Sequence, residues 1–208
     1  MDRQLARVGL AGDPRIDYFP AVSPPDQGIF ASRGAHGCFQ SHLGVIEQAA
    51  AEGQSVLVFE DDCDFRVAQV LEYEMPECDV FYGGYIASDP DDLHSSDIIG
   101  SHFMGFSAGA AMLSASYLRS FLMADFVADP ATRAPQALVP RPGIDGAHVW
   151  FRRTFPHLVT VFADLSYQRP SRTDIGEQPW FDRVPVFRET ASFVRKFRKP
   201  DSKGYVFD

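Results

Sequence analysis

The stretch that most narrows the possible folds is residues 33–62, RGAHGCFQSHLGVIEQAAAEGQSVLVFEDD, where a helical pattern passes into an apolar strand and then into three carboxylates. Phe39, Leu43, Ile46 and Ala50 recur at helical spacing over residues 34–51, and Gly53 is placed to end that helix in a left-handed conformation. Residues 55–60 then read as a buried strand that runs into Glu60, Asp61 and Asp62, with a further carboxylate at Asp64. A helix feeding straight into such a strand is a unit of layered α/β folds.

Crowded carboxylates need an explanation. Side chains alternate along an extended chain, so Glu60 and Asp62 are expected to share a face while Asp61 points away. Two carboxylates about 4 Å apart at an effective dielectric near 20 repel by roughly 4 kcal/mol, a large fraction of a domain's stability. In open α/β sheets, ligands gather beyond the carboxyl ends of the strands, and a hard divalent cation there would turn repulsion into attraction while keeping positions for substrate phosphates. The competing reading is structural: Asp62 or Asp64 caps the following helix and the others face water.

The rest of the chain continues the alternation. Short helices are expected over residues 2–10 and 65–73, and strands over 15–22 (RIDYFPAV) and 79–85 (DVFYGGY). Residues 87–101 read as a polar, acidic loop, and HFMGFSAGAAMLS as a strand that leads to a helix capped by Ser114 or Ser116. Residues 128–143 carry four prolines and read as a long loop of the kind used for lids and binding. A helix entered at Asp145 (residues 144–154) and a strand over 157–165 follow. The expected fold is a single α/β domain, a mostly parallel mixed sheet flanked by helices over residues 1–167, with an extended tail over 168–208.

Composition excludes some functions. A net charge of −9 argues against a nucleic-acid binder, whose phosphate-seeking surface would be basic. Cys38, Cys63 and Cys78 make neither a disulfide framework nor a closely spaced zinc pattern, and read as buried thiols of a reducing compartment. The amino-terminal residues show no export signal and no apolar run is long enough to span a bilayer, so the chain reads as cytoplasmic. The basic run FVRKFRK (193–199) offers peripheral contact with an anionic membrane surface, or simply a solvated face. The six histidines, at 36, 42, 94, 102, 148 and 157, show no close ligand pairing in sequence, which disfavours a two-metal phosphoesterase or nuclease.

Residues Gly37, Cys38, Ser41, His42, Glu60, Asp61 and Asp62 carry a more specific signal, because their spacing resembles the signature of glycosyltransferase family 25. CDVFYGG, GFSAGAAMLSASYLRSFL, GIDGAHVWF and YQRPSRTDI are more loosely similar to later segments of that family. The resemblance implies a GT-A-like nucleotide-binding domain that transfers a sugar, often galactose, from a UDP-sugar to a saccharide or lipid-linked saccharide acceptor, usually with inversion and Mn²⁺ (or Mg²⁺). It assigns Glu60, Asp61 and Asp62 to the metal and diphosphate, and Arg33, Ser41, His42, Gln168, Ser171 and Asp174 to substrate. His42 can equally hydrogen-bond the neighbouring element, and Arg152 and Arg153 are further phosphate candidates. An inverting transfer needs a general base, for which Asp145 is the candidate, against the plainer reading of a helix N-cap. One departure stands out: the family's opening apolar strand has no counterpart ahead of residues 1–22. Either the true start lies upstream of residue 1, or the donor pocket is rebuilt or abandoned, in which case a non-catalytic saccharide-binding or scaffold protein with an incomplete donor pocket is the alternative expectation.

Overall fold

The structure is a computed structural model that describes residues 1–94, 97–126 and 140–169. Its elements in chain order are α1 (Asp2–Arg7), α2 (Arg33–Glu52), β1 (Val56–Phe59), β2 (Cys63–Phe65), α3 (Val67–Glu72), β3 (Val80–Ala87), β4 (Ile98–Phe106), α4 (Ala108–Phe121), α5 (Ile144–Thr154), β5 (Thr160–Phe162) and β6 (Ser166–Gln168). Local signals set the best-defined boundaries. The Ser32 hydroxyl accepts from the Ala35 N–H at 3.0 Å to start α2, and Gly53 ends it with φ of 64°.

Four strands form one sheet in the order β1-β4-β3-β5. β1, β3 and β5 point the same way, but β4 is inserted between β1 and β3 in the opposite direction. Two ladders are therefore antiparallel and only β3–β5 is parallel, which corrects the expectation of mostly parallel pairing. The reason lies in residues 88–97, too short a connection to hold a crossover helix, so β4 folds back along β3. A second, two-stranded ribbon pairs β2 with β6, Cys63 opposite Gln168.

Alternation along β3 divides the core between the two faces. Val80 and Tyr82 face α2, α4 and α5, in one cluster with Phe39, Leu43, Ile46, Leu118, Phe121 and Phe151. Phe81 and Phe103 face the other way, onto Leu5 of α1 and Cys63, Phe65 and Leu165 around the ribbon. Helices thus cover one face, and the ribbon with α1 and α3 covers the other.

Several expected boundaries move. Residues 15–22 form no strand: the segment lies as coil along α2, where the Ser41 hydroxyl accepts from the Val22 N–H at 2.9 Å. Two glycines on α2 admit it, since a Cβ on Gly37 would sit 2.5 Å from the Val22 carbonyl and one on Gly44 2.5 Å from the Phe19 ring. α4 starts at Ala108 rather than near Ser114, because the Ser107 hydroxyl accepts from the Ala110 N–H at 3.2 Å and takes the N-cap. The acidic loop is shorter than expected, as β3 and β4 both extend into residues 87–101. Where a strand was expected over residues 157–165, only Thr160–Phe162 form one (β5), and β6 lies beyond that span at Ser166–Gln168. Most of the proline-rich segment and all of the basic tail lie outside the described residues, within which no helix is long and apolar enough to cross a membrane.

Candidate active site

The apolar run of β1 stops at Phe59, and one further ladder bond, from the Glu60 N–H to the His102 carbonyl at 3.0 Å, precedes a sharp reversal. The Cys63 N–H then reaches back to the Glu60 carbonyl at 3.1 Å, so the three carboxylates occupy a tight turn between β1 and β2. A turn does not alternate as a strand does. Glu60 and Asp62, expected on one face, diverge: Glu60 lies 3.4 Å from His42 Nε2 on α2, while Asp62 accepts from Gln168 Nε2 of β6 at 3.1 Å. Asp61 is exposed, with its backbone carbonyl held by Arg169 Nη2 at 2.8 Å. The turn is thereby sorted into one carboxylate per environment.

The capping alternative fails for this cluster. α3 takes Arg66 as its N-cap, with no side-chain cap, and Asp64 instead accepts from Gln4 Nε2 of α1 at 2.6 Å. The same alternative fails for Asp145, which lies in the first turn of α5 behind the N-cap Gly143. Its carboxylate accepts from Ser101 Oγ of β4 at 2.7 Å. The antiparallel insertion of β4 is what brings Ser101 and His102 beside the end of β1.

Gly84 supports that arrangement from β3. A Cβ there would lie 2.0 Å from Ser166 Oγ and 2.3 Å from His102 Nε2, so only glycine lets the imidazole and the β6 serine close on the strand. Burial pulls His102 below its ordinary value. The nearby carboxylates Asp62 and Asp145 pull the other way.

Two buried imidazoles, His42 and His148, lie 6.4 Å apart and are driven in opposite directions. Burial opposes a charge on His42, but hydrogen bonds to Cys38 and Glu60, with their electrostatic interactions, outweigh it and push His42 up to about 10. Burial, followed by the charges of His42 and Arg152, pulls His148 down to about 3. Burial also raises the Asp145 carboxyl, against the hydrogen bond from Ser101; the charge of Glu60 adds to the rise and that of His42 opposes it. The arrangement accepts one cationic imidazole beside two acids.

These shifts set opposite pH limbs. His42 has a folded value above its ordinary 6.5, so its contribution is full below 6.5 and is lost as pH rises through about 10. His148 stays neutral in the fold while the unfolded chain takes up a proton, so stability is lost as pH falls from 6.5 toward about 3. Both ring nitrogens of His148 lack a hydrogen-bond partner among the described residues, so an apolar replacement strands nothing. His148→Leu is expected to remove the acid limb, gaining about 2 kcal/mol at pH 5 relative to pH 8 in urea titrations. An unchanged acid limb would assign it to other groups.

The other expected substrate residues are mostly engaged elsewhere. Ser41 donates to the Gly37 carbonyl at 2.8 Å and holds the coil, a fastening role. Arg33 is exposed and donates to Ser23 Oγ at 2.6 Å, apart from the acidic turn. Arg152 lies over the rings of Tyr82 and Phe162 at 5.5 and 5.4 Å, and Arg153 pairs with Asp97 at 2.7 Å. Gln168 does reach the site, through Asp62, while Ser171 and Asp174 lie outside the described residues. Ser101, His102 and His148 were not singled out from sequence, since nothing local distinguishes a strand serine or a helix-face histidine from core packing. As hard oxygen donors on adjacent positions of one turn, Asp61 and Asp62 suit Mn²⁺ or Mg²⁺; Glu60, turned toward His42, does not complete that set.

Comparison with known proteins adds one finding. The chain is similar to a glycosyltransferase 25 family member. That relative is the human (Homo sapiens) protein named inactive glycosyltransferase 25 family member 3, 33% identical over 86 residues. The match spans 36% of this chain and only 14% of the human protein. No protein-family model matches the chain. The similarity supports a distant kinship with glycosyltransferase-like proteins.

Proposed function

We propose that this domain is a glycosyltransferase that moves a hexose, galactose first among the candidates, from a UDP-sugar to a saccharide acceptor, as in lipopolysaccharide or other surface-glycan synthesis, with inversion. The observation that carries the reading is the half-buried Asp145 carboxylate, fastened by Ser101 at 2.7 Å and within the electrostatic reach of Glu60 at the acidic turn. A carboxylate with raised proton affinity, held by a neighbour rather than by its own helix end, suits a general base.

Each residue then has a stated task. Asp145 takes the proton of the acceptor hydroxyl at its carboxylate, and Ser101 fixes which oxygen faces the acceptor. Asp61 and Asp62 hold the divalent ion, with Gln168 orienting Asp62. Bound there, Mn²⁺ or Mg²⁺ supplies Lewis-acid neutralisation of the charge on departing UDP. Glu60, 3.4 Å from His42 Nε2, stands apart from that pair.

Calorimetry of UDP with and without Mn²⁺ tests this reading. The full chain is expected to bind UDP more tightly with Mn²⁺, and Asp62→Ala to lose that metal-dependent gain. Absence of any metal-dependent binding would overturn the reading. The human relative, named as inactive, favours one alternative, a non-catalytic saccharide-binding or scaffold protein. That alternative is expected to bind saccharide without turnover of any UDP- or GDP-sugar.

A further inference from the structure

The acidic turn does not account for Cys38, whose partners lie on two elements. Cys38 and His42 are four residues apart on α2, one helical turn, so their side chains emerge on the same face. That face meets the end of β1, where Glu60 arrives. One donor atom from each of Cys38, His42 and Glu60 lies within 4.8 Å of the other two.

We infer that Cys38, His42 and Glu60 form a binding site for a borderline transition-metal ion of the Zn²⁺ class, separate from the oxygen-donor pair Asp61 and Asp62. The distances fit such an ion. With Zn–N and Zn–O bonds of about 2.0–2.2 Å, a nitrogen and an oxygen in a tetrahedral shell stand about 3.4 Å apart. His42 Nε2 and Glu60 Oε1 are 3.4 Å apart. A sulfur edge in the same shell is about 3.6 Å, so Cys38, within 4.8 Å of the other two donors, has at most about 1.2 Å to close. Among the described residues, this cluster and not the Glu60–Asp61–Asp62 triplet brings three donors that close.

Donor chemistry selects the ion. A thiolate and an imidazole favour zinc-like ions over Mg²⁺ or Mn²⁺, which prefer oxygen. The thiolate and the carboxylate together offset the double charge, which a buried site requires. Three protein ligands leave a fourth position for water or substrate, the pattern of zinc sites that do chemistry rather than only hold a fold. Cys38 and Glu60 are both partly exposed, which leaves that position within reach of solvent. The site stands on these distances alone, whether or not the domain transfers sugar.

Cobalt is the probe, because its spectrum reports the ligands directly. Metal-free full-length protein, with any affinity tag removed, is titrated with Co²⁺ and then with Zn²⁺. One equivalent of Co²⁺ is expected to give visible bands of tetrahedral intensity and a near-ultraviolet thiolate-to-cobalt band, both erased by Zn²⁺. Cys38→Ser is expected to remove the thiolate band, and Glu60→Gln to keep it while weakening Zn²⁺ binding at least about tenfold. Cys78→Ser is expected to change neither. A wild-type spectrum without the thiolate band, or a band that survives Cys38→Ser, would overturn the site. Should Cys38→Ser fail to fold, Glu60→Gln decides: unchanged Zn²⁺ affinity overturns it.

Discussion

Phe39→Ala is expected to destabilise the fold by about 3–5 kcal/mol, read as a shifted midpoint in urea unfolding. Phe39 is fully buried, with its ring 4.9 Å from that of Phe30 and stacked at 5.3 Å on that of Phe121. It therefore ties α2 both to the coil just before it and to the end of α4, which is distant in sequence. Truncation removes the transfer free energy of a phenyl ring and leaves a void that these fixed elements cannot fill. Against a typical domain stability of about 5–15 kcal/mol, this is about a fifth of the whole or more. Phe39 also neighbours Cys38 in the α2 sequence, so the loss is expected to extend to metal binding at that helix. Phe39→Leu refills most of the space and is expected to lose less than half as much. Equal midpoints for wild type and Phe39→Ala would mean that this face of α2 is not held by its aromatic contacts.

Asp145→Asn is expected to lower turnover by about 10²–10⁴-fold while leaving UDP binding within about twofold. The amide keeps the shape and can still accept from Ser101, so the fold and the donor side stay in place. What disappears is the basic oxygen. Ser101→Ala provides the more specific reading of the same site. The hydrogen bond from Ser101 holds the Asp145 carboxyl down against burial, so its removal is expected to move the rising limb of the rate to higher pH. A merely structural Ser101 would lower the rate without moving that limb. Unchanged turnover in Asp145→Asn would end its assignment as base.

How much was legible in the sequence depends on the range of the physics involved. α2 and β1 were readable because Phe39, Leu43 and Ile46 keep a helical period, Gly53 supplies the left-handed cap, and VLVF is short, apolar and branched. These are local rules. Residues 15–22 misled because Tyr18, Phe19 and Val22 have strand-like composition, yet Gly37 and Gly44 on α2 offer a backbone groove that coil can enter. The direction of β4 was not readable either, since strand polarity depends on where a connection returns. The site divided along the same line. Glu60, Asp61, Asp62 and Asp145 carried recognisable local patterns, whereas Ser101, His102 and Gly84 matter only through the register of β1, β3 and β4. Cys38 and His42 were visible as a signature pair, but their convergence on Glu60 needs the packing of α2 against the end of β1.

The ribbon of β2 and β6 also bears on the order of events during folding. The hydrogen bond from Gln168 to Asp62 spans 106 residues, and the Arg169 N–H adds a second tie to the Asp62 carbonyl at 2.8 Å. Loop closure over such a span is entropically slow to repay, and two three-residue strands are marginal by themselves. α2 and β1 can form from near neighbours, but the acidic turn acquires its shape only when the chain beyond β5 has returned. The same logic runs in reverse: a partial opening that releases β6 would expose Asp62 while the four-stranded sheet stays folded. The last contact to form is then the natural first one to break, and it is the one that orients the carboxylate.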